Sequence, residues 1–251
     1  MNINLPSGSV LGARQQTKTP DSMYSYCRII GCHHPATAGT ESGLNRRYCR
    51  KHEDHYERHG SYTKPSYRRT TIEPHRRAAL RWLKANRDSP AIRQSIAAVQ
   101  RIYRQSGPKI EAFRLRGLKP EARAWAAWAR LREGNVDPIR PLAACLAIQA
   151  TIASDPQPDL STEYRLVQVA KLVHRMASGS HKRWERVRPN GSISVEELHH
   201  YPHSRGRVLR HIGRQLQKIA ETVSEVYLIE ALDQRDSSGR FVGIAKSSEP
   251  M

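Results

Sequence analysis

The sequence predicts a mainly α protein, with a small N-terminal zinc-finger module followed by an all-α helical bundle. Three observations carry that prediction. Cysteine and histidine recur at metal-ligand spacing in one short window, Cys27-x4-Cys32-x16-Cys49-x2-His52. From Glu73 onward, apolar residues repeat at helical spacing with few interruptions. Proline after a polar residue recurs where new apolar stripes begin, as it does at the first position of helices.

Residues 1–22 are rich in Ser, Thr, Gln and Gly and read as a disordered N-terminus. The metal-binding module is expected over 23–60. Gly31 can take a positive φ just before Cys32. The spacing of three between Cys49 and His52 puts both side chains on one face of a first helical turn. A structural zinc ion takes four N or S ligands as a tetrahedron, usually as two close pairs. Cys27, Cys32, Cys49 and His52 supply such pairs, and one structural Zn2+ is the expected cofactor. His55 and His59 share the helical face of His52, which leaves His55 as a competing fourth ligand. His33 and His34 directly follow Cys32. The alternatives to metal are free core thiols or a disulfide.

Residues 61–72, with Pro65 and several hydroxyls, read as a basic linker. The bundle is expected over 73–232. Ser89-Pro90 opens a helix carrying Ile92, Ile96, Val99 and Tyr103 on one stripe. Lys119-Pro120 opens Glu121 to Glu133, with Trp125 and Trp128 as core anchors. Asp137-Pro138 opens Ile139 to Ala153, apolar nearly all round and holding Cys145 as a small buried hydrophobe. Ser161 opens Thr162 to Met176. Ser194-Val195-Glu196-Glu197 reads as a capping box starting another helix. A long helix follows from about Ser204 to Ala231, with Val208, Ile212, Leu216, Ile219, Val223, Val226, Leu228 and Ile229 as its apolar set. Residues 233–251 lose periodicity and read as a flexible tail in which Phe241 to Ile244 can dock.

The module resembles a short zinc-binding motif of phage and bacterial proteins. Cys27-x4-Cys32, Pro35-Ala36, Tyr48-Cys49-Arg50-Lys51-His52 and Tyr56-Glu57-Arg58-His59-Gly60 carry the likeness. It is similar to the accessory zinc finger attached to some HNH-type endonucleases and to small DNA-binding proteins. The likeness spans about residues 24–60, and Glu53-Asp54-His55 lengthen the space between ligand and aromatic. It implies a bound zinc and a setting in DNA-processing or mobile-element proteins.

Charge is the second functional signal. There are 42 Lys and Arg against 23 Asp and Glu, a formal +19, and Arg outnumbers Lys by 32 to 10. Planar guanidinium groups make two-pronged contacts with phosphate, so this bias favours a nucleic-acid partner, double-stranded DNA being the expected one. Net charge is +6 over 1–70, +10 over 71–135, zero over 136–180 and +3 over 181–251. The neutral stretch reads as packing core. The expected phosphate contacts are Arg46, Arg47, Arg50, Lys51 and Arg58 in the module, then Arg68, Arg69, Arg76, Arg77 and Arg81. Tyr48, Tyr56, Tyr62 and Tyr67 interleave with them as rings for sugars or bases. The run His181 to Arg188 reads as a basic loop, and the segments from Ser194 and Ser204 can imitate a helix-turn-helix.

No P-loop, G-x-S-x-G or kinase signature is present. Asn190 with His199, His200 and His203 has the residue types of an HNH nuclease, but the expected break there sets it apart from two strands and a helix. The expectation is therefore a non-catalytic nucleic-acid-binding protein. A protein–protein adaptor and an HNH-like or accessory nuclease role stand as alternatives, and the bundle offers surface for a protein partner or a homo-oligomer. Neither a signal peptide nor a membrane span is read, so no membrane role and a cytoplasmic, nucleoid-associated setting are expected.

Overall fold

The computed structural model describes residues 26–40, 43–177, 179–202 and 206–233. The expected disordered N-terminus and flexible tail lie outside these residues, apart from the end of the last helix. The fold is mainly helical. Two compact units are present, Met1–Glu53 and Asp54–Met251.

The first unit holds β1 (Ala38–Thr40) and β2 (Gly43–Asn45), an antiparallel pair, and the start of α1 (Arg50–His59). Among its described residues the buried apolar side chains are Cys27, Ala36, Ala38 and Cys49. Two alanines and two thiols bury little apolar area, so the cysteine cluster is the main point of cohesion among these residues.

In the second unit the helices are α2 (Arg69–Ala85), α3 (Pro90–Gln105), α4 (Pro120–Glu133), α5 (Ile139–Ala153), α6 (Thr162–His174) and α7 (Gly206–Asp233). A 3-10 turn covers Ala112–Leu115. Helix α5 lies at the centre, with 12 of its 15 residues buried, Cys145 among them. Helices α2, α6 and α7 pack around it. Asp137 caps α5 through its carboxylate, which accepts from the Ile139 amide at 2.9 Å. Ser161 caps α6 by accepting from the Tyr164 amide at 3.3 Å. Trp128 is fully buried and donates from Nε1 to Gln215 at 2.7 Å, which joins α4 to α7. Gly213 is where α7 crosses α6. A Cβ there would lie 2.7 Å from the Leu166 carbonyl oxygen, so no larger residue fits.

Three features differ from the sequence expectation. First, α2 begins at Arg69, so the end of the expected linker forms its first turn, anchored by buried Ile72. Pro74 sits inside this helix and costs it one backbone bond. Second, the outer stripe of α7 is different. Val226 and Ile229 are exposed, while Leu209, Ala220 and Tyr227 are buried. Tyr227 meets Trp82 edge-on at 5.2 Å, on the same buried face as Leu209 and Ala220.

Third, the second unit is not all-α. Residues Ser180–Val187 (β3) and Ile193–His200 (β4) form an antiparallel hairpin. The capping-box reading of Ser194 to Glu197 and the helix-turn-helix imitation both fail here. The reason is local: Arg188-Pro189-Asn190-Gly191 makes a tight turn, with the Gly191 amide on the Arg188 carbonyl and Gly191 at φ 79°. Proline and a left-handed glycine in a three-residue loop favour a hairpin, and Val187, Ile193 and Val195 favour strands. The hairpin is anchored at its base, where Ser180 Oγ accepts from the Ala112 amide at 2.7 Å and donates to Glu111.

A buried histidine is expected to make the second unit acid-sensitive. His174 is 6% exposed. Burial first, then Arg130, Arg123 and Arg175, push its pKa down to about 4. Below the unfolded value of about 6.5 the unfolded chain takes up a proton that the fold refuses. The contribution is therefore complete above about pH 6.5 and is lost as pH falls toward 4, at most about 3 kcal/mol. Chemical denaturation followed by near-UV circular dichroism should show this loss in the wild type and a shallower one in His174→Leu. Equal slopes would mean that another group titrates.

Candidate metal centre

The centre is built from two turns. In the first, the Cys32 amide donates to the Ile29 carbonyl at 2.9 Å, and Gly31 takes φ 77°, as a tight turn of this kind requires. This knuckle places Cys27 and Cys32 side by side. In the second, the Cys49 carbonyl accepts from the Glu53 amide at 3.0 Å, so Cys49 stands just before the first turn of α1. Its thiol also receives the His52 amide. A sulfur at this position does the work of an N-capping side chain.

The four side chains converge. His52 Nδ1 lies 3.3 Å from Cys27 Sγ and 3.3 Å from Cys49 Sγ. Cys32 Sγ lies 3.8 Å from Cys49 Sγ. All four ligand atoms fall within 4.8 Å of one another. Metal–sulfur bonds of about 2.3 Å at the tetrahedral angle set S···S edges near 3.8 Å and S···N edges near 3.5 Å. The observed edges agree to within a few tenths of an ångström. Disulfide bonding would need S–S near 2.05 Å, and all four cysteines are free. Cys27, Cys32, Cys49 and His52 are thus placed to hold one metal ion.

Electrostatics points the same way. Burial raises the Cys27 thiol, yet backbone amides of Cys49 and Ile29 bring its net pKa below the ordinary value. Cys49 shifts the other way, raised by burial and by its neighbouring thiols. Three sulfurs this close cannot all ionise without a cation among them.

Among the remaining histidines, His33 and His34 are exposed and outside the cluster. His55 donates from Nδ1 to the Ser61 carbonyl at 2.7 Å and lies outside the cluster, whereas His52 Nδ1 converges on two of its sulfurs, so the fourth position is that of His52. His59 Nδ1 accepts from the Ser66 amide at 3.0 Å, which fixes its proton on Nε2. Gly60, the glycine of the motif, ends α1 at φ 77°. A Cβ on it would lie 2.6 Å from the Glu163 carbonyl oxygen.

The expected phosphate contacts divide into several environments. In the first unit Arg46, Arg47, Arg50 and Lys51 are exposed, and Arg50 donates to the Gly39 carbonyl at 3.2 Å. In the second, Arg58 donates to the Asp54 carbonyl, while Arg68, Arg69, Arg77 and Arg81 are exposed. Arg76 is different, because it clasps Glu73 with two bonds at 2.8 and 3.0 Å. The interleaved tyrosines are engaged within the fold. Tyr56 stacks on Tyr62 at 4.4 Å, and Tyr67 donates to Asp155 at 2.7 Å.

Among the described residues the nuclease-type set is not assembled. Asn190 lies in the hairpin turn, whereas His199 and His200 end β4, six and seven residues beyond Ile193. At about 3.3 Å per residue this is a separation of more than about 20 Å. His203 lies outside the described residues. The premise of a helix break is itself corrected, since the segment is a hairpin. Sequence reading missed a different cluster there: His181 and His199 stack at 4.0 Å across the strands and share Glu197 with Arg183. It also missed Arg140, Lys171 and Arg175, which share a cleft with Arg69 and Arg76. A strand alternation would have flagged the first; no linear signal marks the second.

Elemental analysis of protein purified without chelator should find one metal ion per chain. Cys49→Ser should lose it and unfold the first unit, while the helical circular dichroism of the bundle persists, because no ligand belongs to the bundle core. A metal-free wild type would remove the centre. No family model, curated protein or solved structure matches this chain.

Proposed function

We propose that this chain is a zinc-dependent, non-catalytic nucleic-acid-binding protein that grips phosphates through exposed arginines, with duplex DNA as its expected partner. Zinc is favoured over other ions because three thiolates and one imidazole form a closed tetrahedral set of the structural kind. In this reading the ion folds the first unit, and Arg46, Arg47, Arg50 and Lys51 ride on it.

The observation that carries the reading is one stripe of α2. Arg77, Arg81 and Lys84 are exposed along it, and none makes an ion pair among the described residues. Nearby Arg76 is the member of this basic run that meets a carboxylate. Cations lined up without a contacting carboxylate repel one another, and a phosphate backbone relieves that repulsion while releasing its counterions. Arg68 and Arg69 extend the basic surface at the start of the helix.

The test is the salt dependence of duplex binding by the full chain. The logarithm of the affinity should fall with log salt at about −0.9 per phosphate contact. Arg77→Gln with Arg81→Gln should weaken binding about equally on all sequences and flatten the slope by roughly two units. Thermal stability should stay nearly unchanged, since these side chains are exposed and unpaired. Absence of any salt-dependent binding would replace this reading by that of a protein–protein adaptor.

A further inference from the structure

A cleft of about 360 Å³ opens between α2, the first turn of α5 and the end of α6. Five cations line it, Arg69, Arg76, Arg140, Lys171 and Arg175, against the single carboxylate of Glu73. Glu73 is already taken by Arg76. The other four have no ion-pair partner among the described residues.

Lys171 is the most telling of these. It reaches inward to Ser66 Oγ at 2.6 Å and to His59 Nδ1 at 3.4 Å, both neutral groups. Burial, then the charges of Arg175 and Arg58, lower its pKa to about 8. A half-buried ammonium facing like charges lacks only an anion. Arg140 repeats the pattern, since it stands in the first turn of α5, where the helix dipole disfavours a cation. Leu172, Met176 and Ile72 give the cleft an apolar part of its lining. Its volume exceeds what a lone phosphate needs and falls in the range of small-molecule sites.

We propose that this cleft binds a phosphate-bearing ligand of nucleotide size, its phosphate held by Arg140, Lys171 and Arg175 and its flat body laid against Leu172 and Met176. Arg69 lines the same cleft as a further donor. The ligand is either a free nucleotide or the phosphorylated end of a strand, two sources of one chemistry. The site is separate from the exposed stripe of α2 and does not rest on the nucleic-acid reading above.

Calorimetric titration of the full chain with AMP, and of a short single strand with and without a 5′-phosphate, tests this. Wild type should bind AMP, the phosphorylated strand, or both. Arg140→Gln with Arg175→Gln, both exposed and free to change without unfolding the bundle, should weaken that binding tenfold or more. Arg77→Gln with Arg81→Gln should leave it within twofold, even though it lowers duplex binding. AMP binding alone identifies a nucleotide site; a preference for the 5′-phosphorylated strand identifies a strand-end site. No binding by any phosphate-bearing probe, or equal binding by wild type and the Arg140/Arg175 variant, overturns the proposal. Retained AMP binding in a protein that ignores duplex DNA would sink the nucleic-acid reading and leave this one standing.

Discussion

The second unit depends on one constraint: α5 is apolar on nearly every side and must be covered on every side. A helix of this kind cannot lie on a surface, so α2, α6 and α7 are drawn around it. Small residues then let those neighbours approach closely, alanines along α4 and α5 and Gly213 at the α6–α7 crossing. The same constraint sorts charge. The lone ionic residue of α5 is Arg140, and it sits at the helix end, where the cover stops. Cations that the core excludes collect at that rim, alongside those of α2 and α6.

Much of this was legible in the sequence, and the limits are physical. The bounds of α4 and α5, and the start of α6, were readable because proline or a capping side chain marks each start, and those signals act locally. The hairpin was not, because Ser194 to Glu197 satisfies a helix-start pattern and a strand alternation at once. Arg188-Pro189-Asn190-Gly191 broke the tie, through a turn that a helical reading ignores. The rotation of α7 was misjudged at its far end because Tyr227, which packs edge-on against Trp82, is buried where the aliphatic Val226 and Ile229 are exposed.

The metal ligands were legible for the opposite reason: their chemistry is written in short spacings. What the spacing left open was His52 or His55, and the geometry decides it, since His52 Nδ1 and not His55 converges on the three thiols. The basic cleft was illegible because net charge along a chain is a sum. Residues 136–180 sum to zero, yet Arg140, Lys171 and Arg175 gather on one side while acids such as Asp155 and Glu163 pair elsewhere, with Lys64 and Arg210. Burial of the neutral stretch was read correctly, and its rim was not.

The hairpin of β3 and β4 has one more consequence, for how this protein tolerates change in length. Its residues from His181 to Ile193 are exposed, and its fixed point is the base at Ser180. Side chains alternate between its faces with a period of two. Strand pairs added or removed at the Asn190-Gly191 turn in matched steps of two residues keep Trp184 and Leu198 on their face and His181 and His199 on theirs. A step of one exchanges the faces beyond it. The arm can therefore drift in reach across evolution, or carry an inserted peptide at its tip, while the bundle that bears it registers no difference.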